Sequence, residues 1–432
     1  MATGMLEKLF NLEAHKTTIG TEVLAGFTTF LTMAYIIFVN PAILSAAGMD
    51  KGSVFTVTCL ITAGATLTSA LIANSPIAFA PGMALNTVFA FVVVGVMGFN
   101  WQNALGMVFI SGIIFTLLAV TKVRTLLIRA LPESMNTAIV SGIALFISLI
   151  ALKTNGIVVV NTNAFIHLGD LANWKCGLFA MGFLFIVFLD SRKVPGAVLI
   201  GILTMTIIDV FRTNASFGTI FQMPPSIDPT FMQLKFDQIN NSKAYHQVFS
   251  FLLIALFDAT GTLVGLLHTP AFLSINKSQK KIERSLLADS FATACAPVLG
   301  SSSTSPYIES ATGIESGGRT GLTSLVVSGL FIISLFFSPI VGLVPSYAVG
   351  SALLYIACCI MKEVTKIDTK DITDFAPAVL TMLMIPFSFS IADGIGVGAI
   401  SYTVLKLVTK QFHALNPMLV IIAVIFLFYF FM

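Results

Sequence analysis

Long apolar segments separated by short polar turns follow one another along almost the whole chain. A helix that crosses the roughly 30 Å hydrocarbon core of a bilayer needs about 20 mostly apolar residues, and most of these segments approach that length. Seven segments precede a polar stretch at 212–246 and seven follow it, which predicts an all-α polytopic membrane protein with 14 transmembrane segments. We number these segments as spans 1 to 14, with the predicted bounds 20–42, 53–73, 78–97, 103–121, 134–152, 176–190, 194–211, 247–268, 285–296, 303–314, 321–339, 341–361, 373–390 and 393–409.

Composition supports the same class of protein. Of the 432 residues, 56% are hydrophobic and only 10% are charged, against roughly 25% charged residues in soluble domains. So few charges cannot cover a water-facing surface of this size, which excludes a cytosolic enzyme, a nucleic-acid-binding protein and a disordered chain. The five cysteines form no Cys-x-x-Cys pair and the five histidines form no His-Glu-x-x-His motif. We therefore expect no metal site, no disulfide framework and no cofactor.

The basic residues predict how the spans are oriented. With the N-terminus in the cytoplasm, 17 of the 23 Lys and Arg residues fall on the cytoplasmic side and six on the outer side. This asymmetry follows the positive-inside rule, and a miscount of one span in mid-chain would remove it. Since seven is odd, the two halves insert in opposite orientations, which is the inverted repeat typical of secondary transporters. We expect a multi-pass protein of the plasma (inner) membrane with a cytoplasmic N-terminus.

Two spans carry Pro, Gly and small polar residues where an uninterrupted helix would carry Leu and Val. Span 3 contains Ser-Pro-Ile-Ala-Phe-Ala-Pro-Gly-Met-Ala-Leu-Asn at 75–86, and span 10 contains Gly-Ser-Ser-Ser-Thr-Ser-Pro-Tyr-Ile-Glu-Ser-Ala-Thr-Gly at 300–313. Non-helical backbone at membrane depth is tolerated only inside protein or beside a cavity. Interrupted segments at matching places in two halves therefore indicate a transporter's binding site. The alternative is a pair of ordinary proline kinks.

Two carboxylic acids lie inside this predicted membrane region. Asp258 is in the middle of span 8 and Glu309 is in the interrupted span 10, and no Lys or Arg lies at a comparable depth. A lone Asp in a spanning helix costs at least about 2.5 kcal/mol, so each acid is expected to face a cavity or a partner. Such acids accept from N–H groups, or donate when protonated, which suits a neutral substrate with polar edges. The alternatives are a structural cap of a broken helix for Asp258 and an acid satisfied by nearby Ser and Thr hydroxyls for Glu309.

Three further polar residues are candidates for the same site. Asn86 can donate and accept at the first break, or it caps the helix that follows the Pro-Gly pair. Thr262 lies one helical turn after Asp258 and is expected on the same helix face. Asp289 lies near the entrance of span 9, where it is either a proton relay or an interfacial residue.

Six motifs run in order through nearly the whole chain, at 26–41, 80–86, 257–263, 307–310, 317–321 and 391–396. Together they resemble the motifs of the AzgA-like purine permeases, bacterial and fungal transporters of hypoxanthine, guanine and adenine. These permeases belong to the nucleobase–ascorbate (uracil/xanthine permease) superfamily.

The resemblance implies a core domain and a gate domain, with short strands that cross in the interrupted spans 3 and 10. The core would comprise spans 1–4 (20–121) and spans 8–11 (247–339). The gate would comprise spans 5–7 (134–211) and spans 12–14 (341–409). The remaining parts are a cytoplasmic N-terminal segment (1–19), an outer loop (212–246) and a hydrophobic C-terminal segment (410–432). Its apolar part, 415–432, is short for a span and either crosses the membrane or lies at its interface.

By motif position, the resemblance also implies roles for individual residues. Asp258, Glu309 and Asn86 would bind substrate together with Thr262, which matches a site residue of uracil permeases, and with Ser310, which follows Glu309. Proton coupling would use Asp258 and Glu309, with Asp289 as a further candidate.

These implications predict a proton-coupled symporter, not an enzyme, that imports purine nucleobases (hypoxanthine, guanine and/or adenine) by an elevator-type movement. Its expected partners are the nucleobase, the proton, membrane lipid and a second copy of the chain in a homodimer, with no nucleic acid. The alternatives are a uracil/xanthine permease and an anion exchanger with the same two halves of seven spans. The exchanger would need a cation at the breaks, where the sequence has none. The preferred purine and the choice between proton and sodium stay open.

Overall fold

The computed structural model of the chain describes residues 2–121, 131–159, 167–213, 219, 221–267 and 279–431. Each of the 14 predicted spans coincides with a helix or with an interrupted helix in this structure. In the first half, span 1 is Ile19–Met33 with Ile36–Ser45, and span 2 is Lys51–Ala73. Span 3 is strand β1 (Phe79–Pro81) with Met83–Thr87 and the π-helix Val88–Val94. Spans 4 to 7 are Trp101–Val120, Glu133–Thr154, Trp174–Ser191 and Ala197–Thr213. In the second half, spans 8 and 9 are Ser242–Leu267 and Gln279–Leu299, and span 10 is strand β4 (Thr304–Pro306) with Ser310–Glu315. Span 11 is Gly321–Ser334 with Leu335–Phe337 and Ser338–Leu343, and span 12 is Ser346–Met361 with Lys362–Lys366. Spans 13 and 14 are Ile372–Ser388 and Ile391–Val408.

Length and composition suit most of these helices to a bilayer. Within the described ranges, eight helical segments are long and apolar enough to cross a membrane, and three shorter apolar helices accompany them. Outside the spans lie the N-terminal helix Ala2–Phe10, a small hairpin of strands β2 (Val158–Val159) and β3 (His167–Leu168), and the C-terminal helix Pro417–Phe431.

The boundary between spans 11 and 12 differs from the prediction. The sequence placed it at residue 340, but a helix runs through this position, from Ser338 to Leu343. The chain becomes extended at Val344, and span 12 begins at Ser346 after Pro345. Proline has no N–H to donate and restricts the residue before it, so the interruption lies at Pro345.

The helices pack in two groups. Spans 1, 2, 4, 8, 9 and 11 pack mainly on one another, most extensively in the pairs 2–11, 4–9, 1–11 and 2–9. Spans 5, 6, 7, 12, 13 and 14 form the second group, most extensively in the pairs 13–14, 5–13, 5–12 and 6–12. The predicted division into a core domain and a gate domain stays a prediction. Span 8 lies between the two groups, since it also contacts spans 5 and 14.

The predicted outer loop, where it is described, lies across the ends of spans of the first group. Its backbone carbonyls at Pro225 and Ser226 accept from the hydroxyls of Thr56 (2.9 Å) and Ser53 (2.8 Å) of span 2. Further along, the N–H of Met232 donates to the carbonyl of Val298 in span 9 (2.8 Å). The loop therefore belongs structurally to the first group of spans.

Lys406, one of the residues counted on the cytoplasmic side, is buried near the end of span 14. Its side chain is 2% exposed, and its ammonium lies 3.1 Å from Asp371 and 2.9 Å from Asp374. Hydrogen bonds from the Thr373 side chain and backbone, and then from Lys406, lower the pKa of Asp371 to about 2. This cluster ties the start of span 13 to the end of span 14. Four other residues of the count, Lys122, Arg124, Arg129 and Lys277, lie outside the described residues.

The C-terminal helix Pro417–Phe431 packs alongside span 14. It has 15 residues, so at 1.5 Å per residue it is about 22 Å long, below the hydrocarbon thickness. Phe426 lies over Gly396 of span 14, and its ring is 5.6 Å from that of Phe249 in span 8. The helix therefore contacts both groups of spans.

Candidate functional site

The two interrupted spans meet through a pair of three-residue strands. Strand β1 of span 3 and strand β4 of span 10 pair antiparallel, with Phe79 opposite Pro306, Ala80 opposite Ser305 and Pro81 opposite Thr304. Two flanking backbone bonds extend the pairing, from Gly82 N to Ser303 O (3.1 Å) and from Tyr307 N to Ala78 O (3.0 Å). Each interrupted segment thus forms backbone hydrogen bonds with the other, at groups that have no partner within a helix. The predicted crossing of short strands in spans 3 and 10 is confirmed.

Hydroxyl groups on neighbouring helices bond the rest of this irregular backbone. Thr66 of span 2 both donates to the carbonyl and accepts from the N–H of Phe79, at 3.0 Å each. Thr293 of span 9 donates to the Thr304 carbonyl (3.0 Å), and Ser324 of span 11 donates to the carbonyls of Ser75 and Ile77. These bonds make the breaks a rigid, buried scaffold, because backbone polar groups away from water must be paired.

Asp258 faces this scaffold from span 8. Its side chain is half-buried, and the Ser305 hydroxyl of strand β4 lies beside its carboxyl group. Gly82 marks where the surrounding groups converge. A Cβ there would lie 3.1 Å from Asp258 Oδ2, 3.2 Å from Ser303 Oγ and 3.3 Å from Ser305 Oγ. A carboxylate and two hydroxyls thus surround a backbone position that only glycine leaves open.

Glu309 lies immediately before the short helix Ser310–Glu315 of span 10. Its side chain is half-buried, and its Oε1 accepts a hydrogen bond of 2.6 Å from the hydroxyl of Tyr35 in span 1. No other side chain in the described part of the chain donates to this carboxyl group. No Lys or Arg among the described residues forms an ion pair with Asp258 or Glu309, so both acids rely on neutral donors.

Tyr307 lies near both acids, but its hydrogen bond goes to strand β1. It is 5% exposed and lies close enough to both Asp258 and Glu309 to interact with their charges. Its hydroxyl, however, donates to the carbonyl of Pro81 at 2.8 Å. It therefore braces strand β1 and leaves both carboxyl groups to other donors.

Asn86 belongs to a buried amide pair. Its Nδ2 donates to Oδ1 of Asn40 in span 1, and Nδ2 of Asn40 donates to the Thr58 hydroxyl at 2.8 Å. The Oδ1 of Asn86 is buried and accepts no hydrogen bond from the described residues. Asn86 also lies inside the helix Met83–Thr87, after its first residue, so it does not cap that helix.

The remaining predicted residues lie in different places. The Ser310 hydroxyl accepts from the Ala78 N–H (3.0 Å), so it is engaged with strand β1. Thr262 is half-buried on span 8, one turn beyond Asp258. Asp289 is fully buried on span 9, and its backbone carbonyl lies 3.5 Å from the hydroxyl of Thr304 in strand β4. Asp289 is therefore enclosed by packed helices.

Several residues at the site were not identified from the sequence. Tyr35 and Asn40 come from span 1, and Tyr307 and Ser305 come from the second break. Both span 1 residues fall in the motif at 26–41, but nothing in that motif indicates which distant acid or amide they would meet.

The chemistry of the site is that of hydrogen bonding to a polar molecule. Two carboxyl groups with spare acceptor capacity, an amide oxygen that accepts no bond from the described residues and several hydroxyls are all able to form hydrogen bonds with polar groups. Within the described ranges, no group of three or more His, Cys, Asp or Glu side chains is arranged to hold a metal ion.

Comparison with known proteins gives a consistent result. A family model described as "Permease family" matches residues 20–400. The chain is 40% identical to the adenine permease AdeP of Escherichia coli (strain K12), over 98% of this chain and 95% of that protein. It is 37% identical to the guanine/hypoxanthine permease PbuO of Bacillus subtilis (strain 168), over 97% of this chain and 98% of that protein.

Among solved structures, the fold is similar to the transmembrane domain of a cyanobacterial bicarbonate transporter, BicA, with a TM-score of 0.65. The likeness covers 88% of this chain and 97% of that one, at 14% sequence identity, and so concerns the fold alone. It confirms the predicted all-α fold of two inverted halves of seven spans. The matches over nearly the whole length establish what kind of protein this is: the chain belongs to the permease family of multi-pass membrane transport proteins.

Proposed function

We propose that this permease is a proton-coupled symporter that imports purine nucleobases. The observation that carries the proposal is the pair of half-buried acids, Asp258 and Glu309, beside the crossing of strands β1 and β4. Relatives that cover nearly the whole chain are named adenine permeases and guanine/hypoxanthine permeases. Both observations favour a neutral heterocycle with N–H donors and ring-nitrogen acceptors over an anion.

In this proposal the substrate lies between the interrupted spans and bonds to both acids. Asn86 supplies its free amide oxygen, and Thr262 lines the side of span 8. Ser310 contributes by holding strand β1 in place, since its hydroxyl is bonded to Ala78. The O–H of Ser310 remains able to donate to the substrate, because the bond from Ala78 uses only an acceptor site of the hydroxyl.

Proton coupling follows from the electrostatics of the two acids. A carboxylate without a cationic partner is costly to move through a low-dielectric region, whereas a neutral carboxylic acid is not. Protonation of Asp258 or Glu309 on the outer side, together with base binding, would remove one charge from the moving unit. Release of that proton to the cytoplasm would restore the charge and loosen the base. Asp289, buried beside strand β4, is the candidate for passing the proton onward.

The movement we propose is an elevator-like displacement of spans 1–4 and 8–11 against spans 5–7 and 12–14. The packing of the helices into these two groups supports it, because each group has its own extensive contacts. The N-terminus would be cytoplasmic and the protein would lie in the plasma membrane as a homodimer, as the distribution of basic residues and the family resemblance suggest.

Uptake into proteoliposomes tests this function. Radiolabelled adenine and hypoxanthine are presented to purified, reconstituted protein under an inward gradient of about two pH units, which supplies about 2.7 kcal/mol per proton. Unlabelled guanine, uracil, xanthine and sulfate serve as competitors. A potassium diffusion potential, negative inside, is imposed in parallel, since each 100 mV adds about 2.3 kcal/mol per charge.

Proton symport of hypoxanthine, guanine or adenine predicts uptake that both gradients drive and that guanine competes. Uracil or xanthine as the effective competitor would favour the uracil/xanthine permease. Competition by sulfate, with no response to the membrane potential, would favour the anion exchanger. Uptake that follows a sodium gradient and ignores the proton gradient would overturn proton coupling while leaving the substrate class intact.

A further inference from the structure

Tyr35 lies where span 1 is interrupted, between the helices Ile19–Met33 and Ile36–Ser45. It is one of the largest side chains in the structure that are almost completely buried, at 1% exposure. Its hydroxyl ends on Oε1 of Glu309, at 2.6 Å. A buried tyrosine from one half of the chain is thus bonded to the acid that we place at the substrate, 274 residues later.

The bond has the geometry of a charge-assisted interaction. O–H donors bonded to carboxylates lie at about 2.5–2.7 Å, and such bonds are about twice as strong as those between neutral groups. Tyr35 has one O–H and gives it to Glu309, whereas the nearby Tyr307 gives its O–H to the carbonyl of Pro81. The two tyrosines therefore have separate tasks, one at an acid and one at a strand.

The bond also distinguishes the two oxygens of Glu309. With Tyr35 donating to Oε1, that oxygen must remain an acceptor, so a proton taken up by the acid is carried on Oε2. The Tyr35 bond survives in both charge states, because Oε1 accepts as part of a carboxylate or as the carbonyl of the neutral acid. Oε2 receives no side-chain donor from the described residues, and the further bond of this carboxyl group comes from the backbone of Glu309 itself. Among side chains, Oε2 is therefore left for the substrate.

We propose that Tyr35 is a positioning residue for substrate binding: it holds Oε1 of Glu309 so that Oε2 alone meets the nucleobase and the coupled proton. This inference rests on the proposed function and adds to it the residue that orients the acid. Tyr35 acts through Glu309, so its effect on binding must shrink when Glu309 is replaced by Gln, whose amide oxygen accepts the bond without a charge.

A double-mutant cycle tests the inference. Equilibrium binding of radiolabelled adenine and hypoxanthine is measured for the wild type, Tyr35→Phe, Glu309→Gln and the double variant, all as full-length purified protein. Tyr35→Phe removes one hydroxyl and is expected to weaken binding at least about fivefold, since hydrogen bonds to charged groups are the stronger ones. In the Glu309→Gln background the same change is expected to cost less than about twofold.

Tyr347→Phe is the matched control. The hydroxyl of Tyr347 donates to Oδ1 of Asp209 at 2.9 Å, and its side chain is 2% exposed, yet it lies in span 12, away from the interrupted spans. It removes the same type of bond from an equally buried tyrosine. We expect it to lower thermal stability about as much as Tyr35→Phe does, and to leave purine affinity within about twofold.

Three results would overturn the inference. Tyr35→Phe with wild-type affinity would show that the bond does not matter for binding, and a cost that is equal in both backgrounds would show that Tyr35 acts independently of Glu309. If Glu309→Gln binds purine too weakly to measure, the pH dependence of purine binding is compared between Tyr35→Phe and the wild type. The midpoint of that dependence shifts by at least about half a pH unit if Tyr35 acts on the acid, and an unshifted midpoint contradicts the inference. Failure of the wild type to bind any purine would overturn the proposed function itself.

Discussion

Two glutamates of this protein lie in predicted spans, and their surroundings differ sharply. Glu22 of span 1 is fully buried and accepts four hydrogen bonds, from the N–H groups of Arg319 (2.9 Å), Thr320 (3.3 Å) and Thr323 (3.2 Å) and from the Thr323 hydroxyl (2.6 Å). These donors surround the start of span 11, where helical N–H groups have no partner within the helix. Glu22 therefore caps a helix from another part of the chain, and its capacity to accept is used.

Glu309 accepts from one side chain, Tyr35, and stays half-exposed. The difference between the two glutamates lies in acceptor capacity, which is used at Glu22 and largely spare at Glu309. A saturated acid holds helices together, and an undersaturated one can exchange its partner for a substrate or take up a proton. Substitutions at the two acids and at other buried positions test this difference.

Neutralising the site acids should have the largest effect. Asp258→Asn and Glu309→Gln are each expected to reduce proton-driven purine uptake about 100-fold, because each removes a charged hydrogen-bonding partner and a proton-binding group. Initial uptake rates in proteoliposomes, normalised to reconstituted protein, measure this, and thermal unfolding is expected to stay close to that of the wild type. Full proton-coupled uptake by both variants would contradict the mechanism.

Glu22→Gln should produce the opposite pattern. The amide nitrogen that replaces one oxygen faces backbone N–H donors, which are then left unpaired at a cost of about 2 kcal/mol of stability. Purine KM should change less than about twofold in the protein that remains folded, since Glu22 is not at the site. The test requires two measurements, thermal unfolding in detergent and the KM for purine uptake. A large rise in KM with unchanged stability would place Glu22 among the binding residues and remove the contrast.

Gly82→Ala should have a smaller effect, confined to binding. Its methyl group would enter the space between Asp258, Ser303 and Ser305, at 3.1–3.3 Å from their oxygens. We expect KM to rise about tenfold, which corresponds to about 1.4 kcal/mol of lost binding. The matched control is Gly64→Ala in span 2, where a new Cβ meets nothing within 4 Å. Equal KM values for the two variants would place the substrate elsewhere.

The smallest effect concerns pH. The pKa of Asp371 is lowered to about 2 in the folded protein, first by the Thr373 hydroxyl and then by Lys406. A lowered pKa contributes stability that is present above the ordinary value of about 3.9 and is lost as the pH falls towards 2. Acidification from about pH 7 to 5 should therefore leave the cluster intact, and its contribution to thermal stability should decline only below about pH 4. Lys406→Met should weaken this acid-dependent decline without abolishing it, because the Thr373 hydroxyl and N–H still lower the pKa of Asp371. A wild-type decline already between pH 7 and 5 would contradict the assignment.

The broken spans show how far the sequence alone reaches. Pro and Gly at matching places in spans 3 and 10 predicted the interruptions, since their effect on the backbone is local. Asp258 and Glu309 were identified because an acid among apolar residues is visible in one dimension. Ser310 shows the limit, since its motif position gives no sign that its hydroxyl is engaged with Ala78.

Lys406 and Glu22 show the same limit for charged residues. Charge counting along the chain placed Lys406 on the cytoplasmic side but gave no sign that Asp371 and Asp374 of the preceding span allow it to be buried. Glu22 is compensated by N–H groups about 300 residues away, and backbone donors leave no trace in a sequence pattern.

Hydrophobic periodicity, basic-residue asymmetry and the placement of Pro and Gly, all short-range properties, determined the number of spans, their two halves and the two breaks. The tertiary structure decided which groups meet: Tyr35 with Glu309, Asn40 with Asn86, and strand β1 with strand β4. The physical reason is that hydrogen bonds and ion pairs depend on distances of a few ångströms between residues far apart in the chain. Those distances exist only once the two halves have packed.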